Sequence, residues 1–169
     1  IYSVQSTRID MGNATARALA KEAKRLEKEL SQEEKEAIFT KFNELASKSS
    51  VKNRIDPETF KMYYNIGDDY LQDRMFDCFD AKNTGSIDKK EFLCHASIFS
   101  SKSTDRTKFE FIFTLFDTEG SMSLSKDEFR QMFDHVPTQV VHMCPRTSRE
   151  EIVRHAFEEC IPNRHGELE

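Results

Sequence analysis

Asp80-Ala81-Lys82-Asn83-Thr84-Gly85-Ser86-Ile87-Asp88-Lys89-Lys90-Glu91-Phe92 and Asp117-Thr118-Glu119-Gly120-Ser121-Met122-Ser123-Leu124-Ser125-Lys126-Asp127-Glu128-Phe129 are two versions of one phrase. Each opens on Asp, closes on Glu-Phe, and sets a lone aliphatic, Ile87 or Leu124, at its eighth position. Each follows a helix-like run rich in Phe: Met75, Phe76 and Phe79 lead into Asp80, and Phe113 and Phe116 into Asp117. The same grammar recurs around Ile55, and again where Phe157 and Cys160 lead into Ile161 and on to Leu168. Loop starts fall at 48, 80, 117 and 161, with separations of 32, 37 and 44 residues. Internal repetition of this kind decides a fold more firmly than any single helix.

Side-chain oxygens at positions 1, 3, 5, 9 and 12, a backbone oxygen at 7 and Gly at 6 are the pattern of a twelve-position calcium loop, because calcium is a hard ion that takes six to eight oxygens. In loop 80–91, positions 1, 5, 6, 8, 9 and 12 fit, but Lys82 puts a cation at position 3. In loop 117–128 every ligand oxygen is available, and the misfit is Met122 at position 6. A residue with a Cβ in the left-handed conformation needed there carries strain of about 1–2 kcal/mol. Loop 48–59, aligned on Ile55, lacks both the opening Asp and the closing Glu and reads as a structural hand without metal. The fourth, aligned on Gly166 and Leu168, opens on Ile161, reaches position 9 at Glu169, and is expected to be metal-free too.

Working outward, residues 1–12 are polar and aperiodic and read as a tail. From residue 13 to 30 the composition favours helix, with Leu19, Ala23, Leu26 and Leu30 in one narrow apolar stripe. That stripe predicts either a coiled-coil seam or docking face for a partner, or an arm folded back on its own domain. Ser31 with Glu34, and Ser148 with Glu151, form capping boxes, and Asp56-Pro57 is an N-cap followed by a first-turn proline. Phe39, Phe42, Phe60, Phe76 and Phe79 are expected to build one core, and Phe113, Phe116, Phe129 and Phe157 a second. Met62, Met75, Met132 and Met143 are candidates for core filling or for lining an adaptable groove. The predicted fold is all-α: four helix–loop–helix units in two pairs, each pair joined by a short antiparallel β bridge (55 with 87, 124 with 168), plus an N-terminal helix. The predicted division is 1–30 for tail and helix, 31–102 for the first pair and 103–169 for the second.

Composition excludes several classes. A net charge of −5 offers no basic face for nucleic acid. No apolar run approaches the length that spans a bilayer, and no secretory signal is visible. Cys78, Cys94, Cys144 and Cys160 form no Cys-x-x-Cys pair, so they read as reduced thiols of a cytoplasmic protein rather than zinc ligands. The five histidines are scattered, and no nucleophile–base spacing or phosphate loop stands out, so no active site is expected.

With these motifs in hand, residues 32–169 resemble the EF-hand superfamily, and within it the calcineurin B, neuronal calcium sensor and calaxin-like branch. The markers are the worn first hand, Gly67-Asp68-Asp69 ahead of the second loop's helix, and Phe109-Glu110-Phe111-Ile112-Phe113-Thr114-Leu115-Phe116-Asp117 running into the third loop. The segment Leu124 to Phe133 is similar to the regulatory EF-hand region of dual oxidases. Carried over residue by residue, the resemblance implies calcium ligands at Asp80, Thr84, Ser86, Asp88 and Glu91, and at Asp117, Glu119, Ser121, Ser123, Ser125 and Glu128. It also implies a calcium sensor that holds an amphipathic helix of a target protein in a hydrophobic groove, cytoplasmic and in some relatives ciliary. Two other readings stay open: a calcium-independent light chain or assembly subunit, and a regulatory segment of a larger enzyme such as an oxidase. Met11-Gly12-Asn13 resembles the myristoylated start of some relatives, but Ala16 stands where that signal needs Ser or Thr.

Overall fold

From residue 31 onward, helix starts are marked by residues that can accept hydrogen bonds from the free N–H groups of a first turn. The computed structural model describes residues 14–135, 148, 150, 151 and 153–155. Over these it forms helices α1 (Ala14–Glu29), α2 (Gln32–Lys48), α3 (Pro57–Tyr63), α4 (Asp69–Phe79), α5 (Lys89–Ala96), α6 (Asp105–Phe116) and α7 (Lys126–Asp134), with a 3-10 turn at Ser97–Phe99. Ser31 caps α2 through a reciprocal box: the Glu34 N–H donates to its hydroxyl at 3.1 Å, and its own N–H donates to Glu34 at 2.7 Å. Ser148 and Glu151 repeat that box at 3.2 and 2.8 Å. Asp56, Asp68, Asp88, Thr104 and Ser125 cap α3 to α7 in turn.

The α1 stripe is spent inside the molecule. Ala16, Leu19, Ala23 and Leu26 are buried, and the helix packs on α5, α6 and the 3-10 turn. The Ser97 hydroxyl ties the turn to it by donating to the Ala23 carbonyl at 2.9 Å. Burying each Leu contributes roughly 1.5–3 kcal/mol, which is why the stripe folds back instead of waiting for a second helix. The coiled-coil reading of 13–30 is therefore corrected.

Among the described residues there is no strand; an antiparallel bridge joins Ile55 with Ile87, and Leu124 also takes a bridge conformation. The Ile55 N–H donates to the Ile87 carbonyl at 3.0 Å and the Ile87 N–H returns at 2.9 Å. Both side chains are fully buried. Around them Phe60 meets Tyr64, Phe76 and Phe79 with ring centroids 4.6–5.5 Å apart. Phe42, Phe60, Phe76 and Phe79 are buried as expected and Phe39 is half-buried outside the cluster, while Phe116, expected in a second core, is buried in this same one, with Ile38, Phe113 and Phe129 partly buried against it. Of the methionines expected to fill the core or line a groove, Met75 is buried, Met132 is partly buried and Met62 stands exposed. The pairing of Leu124 with Leu168, the fourth loop, Phe157, Met143, Cys144 and Cys160 lie outside the described residues.

Backbone conformation fixes the register of three loops. Asn53, Gly85 and Met122, each the sixth residue of its loop, have φ of 58°, 80° and 65°. Met122 takes the left-handed turn despite its Cβ. The second and third loops are coupled through the helices beside them. Arg74 of α4 is buried and its Nε donates to the Leu115 carbonyl at 2.8 Å, covering an orphan carbonyl at the end of α6.

Candidate metal loops

The ninth and twelfth residues of a loop serve two ends at once, because they are also the N-cap and N3 of the exiting helix. Asp88 accepts from the Glu91 N–H at 2.9 Å while the Asp88 N–H donates to Glu91 Oε2 at 2.8 Å. Ser125 and Glu128 do the same at 3.3 and 3.0 Å. In loop 48–59, Asp56 takes this place and accepts from the Ser50 N–H and hydroxyl at 2.7 and 2.6 Å and from the Thr59 N–H at 2.8 Å. Burial pushes the Asp56 carboxyl up, but these bonds outweigh it and hold the group far below the usual carboxylate range.

In loop 80–91 the predicted ligands come together, and cations sit among them. Asp80 is buried and accepts from the N–H groups of Thr84 and Gly85 at 3.0 and 2.6 Å. Across the bridge, Arg54 Nε donates to the Ser86 hydroxyl at 2.7 Å and its Nη2 to the Thr84 hydroxyl at 2.7 Å. The same Nη2 reaches the Ser86 carbonyl, which is the backbone oxygen of position 7, and Glu91 Oε2 at 3.4 Å. Lys82 pairs with Asp88 and stands 3.8 Å from Glu91 Oε1. Burial pushes the Asp88 carboxyl up, but the bond from Lys82 and those from the helix N–H groups prevail and hold it below its ordinary value.

Loop 117–128 satisfies its carboxylates differently. Asp117 is fully buried and accepts from the Ser121 and Met122 N–H groups at 3.0 and 3.1 Å. It also accepts from the hydroxyl of Thr15, which α1 carries to this loop. Glu128 Oε1 accepts from the Thr118 N–H and hydroxyl, both at 2.7 Å, and Oε2 from the Ser125 hydroxyl at 2.9 Å. Ser121 donates to the position-7 carbonyl of Ser123 at 2.9 Å. Glu119 is exposed. Burial pushes the Glu128 carboxyl up, but the Ser125 and Thr118 bonds prevail and hold it below its ordinary value.

The pattern is that of an EF-hand domain pair, whose family model matches residues 52–94. The chain is similar to the calcium-binding protein NCSA of Dictyostelium discoideum, at 29% identity over 58% of this chain and 52% of that protein. It is similar also to the calcineurin B-like protein 5 of Arabidopsis thaliana, at 32% over 56% and 46%. Against a calcineurin subunit of Naegleria gruberi the identity is 26% over 70% and 67%. The match thus covers about half the length of the first two relatives. The calcineurin B, neuronal calcium sensor and calaxin-like branch read from the residues is the one these relatives support. Calcium is the ligand that the EF-hand family brings to such loops.

Among the described residues no three acidic, His or Cys side chains converge closely enough to grip an ion as they stand. The two EF-hand loops differ in what convergence requires. In loop 117–128 the partners of Asp117 and Glu128 are neutral N–H and O–H donors, each a modest interaction of about 0.5–3 kcal/mol. A dication can exchange with such donors, so this donor set fits calcium. In loop 80–91 the ion has to displace a guanidinium and an ammonium that already hold the oxygens, so this set does not fit. Lys82 was legible as a misfit; Arg54 was missed. Its signal was its place next to Ile55, since the bridge lays residue 54 beside the neighbouring loop.

Proposed function

We propose that this chain is a calcium-responsive regulatory protein that takes calcium at loop 117–128 and binds a helix of a target protein. The observation that carries the reading is the buried pair Asp117 and Glu128, whose carboxylates accept from the neutral donors named above and from the Glu119 N–H, beside the exposed Glu119 side chain. Ligands would be Asp117, Glu119, Ser121, the Ser123 carbonyl, Ser125 and Glu128. Closing Glu128 onto the ion would draw it from Thr118 and re-aim α7 relative to α6. Phe109 and Ile112, one turn apart on α6, and Phe99 beside it remain exposed and offer apolar surface to a target. One relative is by name a subunit of calcineurin, which supports a regulatory role through a partner. No described helix is long and apolar enough to cross a membrane.

A second reading, a calcium-independent assembly subunit, is favoured by Arg54 and Lys82 in the other loop. Calorimetric calcium titration with a hydrophobic dye present separates the two. The wild-type protein is expected to give heat and a dye response, and Glu128→Gln to abolish both. Silence of the wild-type protein up to millimolar calcium would leave the assembly-subunit reading standing.

A further inference from the structure

Three carboxylates of loop 80–91, on Asp80, Asp88 and Glu91, stand at ligand positions, and two of these residues, Asp80 and Glu91, are buried. Buried carboxylates are costly unless something pairs them. Here Arg54 and Lys82 together bring two positive charges, the same charge a calcium ion would bring. The match extends to positions. Arg54 reaches the position-5 hydroxyl of Thr84, the position-7 carbonyl of Ser86 and the position-12 carboxylate of Glu91. Lys82 reaches the position-9 carboxylate of Asp88, with Glu91 close by. Asp80, at position 1, is satisfied by the loop's own N–H groups. All five residues expected to ligate metal are thereby accounted for.

Chemistry favours Arg for this place. A guanidinium presents five N–H donors in a rigid planar fork and stays charged at any ordinary pH, so it can serve several oxygens at fixed angles. Its position is not left to a flexible stem alone: Ile55, the next residue, is clamped by both bridge hydrogen bonds to Ile87.

We infer that loop 80–91 is a self-liganded hand, in which Arg54 from the paired loop and Lys82 from within replace the calcium ion. The first EF-hand pair therefore keeps its shape at every calcium concentration, and calcium sensing, where it occurs, lies outside this pair. The inference deepens the functional reading, but stands whether or not loop 117–128 binds calcium.

Backbone amides give each loop its own reporter. The Gly85 N–H donates to Asp80 and the Met122 N–H to Asp117, so their NMR shifts follow the two loops separately. Calcium titrated into the wild-type protein should leave Gly85 unmoved, whatever Met122 does. In the double variant Arg54→Met with Lys82→Asp, Gly85 should move and saturate, with affinity at this loop raised by about a hundredfold or more. Glu91→Gln in the otherwise wild-type protein should lower the melting temperature without calcium, because it removes the buried carboxylate charge that faces Arg54 and Lys82. A wild-type Gly85 amide that titrates with calcium and stops doing so in Glu91→Gln overturns the proposal. So does a folded double variant whose Gly85 stays still. The wild-type titration needs no variant to fold, and the two amides keep the failures apart: a moving Gly85 is failure here, and a still Met122 is failure of the calcium-sensor reading.

Discussion

Loops 80–91 and 117–128 carry the same number of carboxylates at ligand positions, Asp80, Asp88 and Glu91 against Asp117, Glu119 and Glu128, yet they balance them with different chemistry. The first recruits a cation from the paired hand and another from its own third position. The second recruits hydroxyls, its own and that of Thr15. Counting acids in a loop therefore says little about its affinity for a dication. What counts is whether the partners that hold those acids are charged, since neutral donors yield to an ion more readily than cations do.

The largest test of this contrast is Ile87→Ala, which breaks the hydrophobic half of the clamp that positions Arg54. Removing a fully buried Ile should cost about 2–5 kcal/mol in denaturant unfolding. A loss below about 1 kcal/mol would mean that the bridge does not hold the pair together. Thr15→Val probes the other loop. Deleting a donor to the buried Asp117 carboxylate should cost about 1.5–3 kcal/mol without calcium. In saturating calcium the penalty should shrink, because an ion takes over the charge of Asp117. An equal penalty in both conditions contradicts calcium at this loop.

The smallest expected effects sharpen the comparison through backbone alone. Met122→Gly should stabilise by up to about 1 kcal/mol, since φ of 65° suits glycine. Gly85→Ala is its mirror and should destabilise by a similar amount, about 1 kcal/mol. A Cβ at Gly85 meets nothing within 4 Å, so any loss reports conformation and not a clash. Thermal melts of the two variants side by side check both signs.

Much of the fold could be read from the residues. The capping boxes at Ser31 and Ser148, the Asp56-Pro57 helix start, the bridge of Ile55 with Ile87 and the left-handed turn at Met122 all follow from local patterns. The α1 stripe was only half legible: spacing marked an apolar face but could not say what would cover it. At the loops, the oxygens at ligand positions were visible and Lys82 was visibly out of place. Arg54 and Thr15 were not, for neither lies within the loop it serves.

The sequence by itself determined where the turns fall and which backbone conformations they take, because caps, hydrogen-bonded loop turns and the left-handed sixth position are settled among residues a few places apart. Only the tertiary structure decided what neutralises each loop. Arg54 reaches Glu91 because one bridge aligns two hands, and Thr15 reaches Asp117 because a buried stripe carries α1 onto α5 and α6. Charge compensation works through space, so it waits on packing that brings distant residues within hydrogen-bonding range.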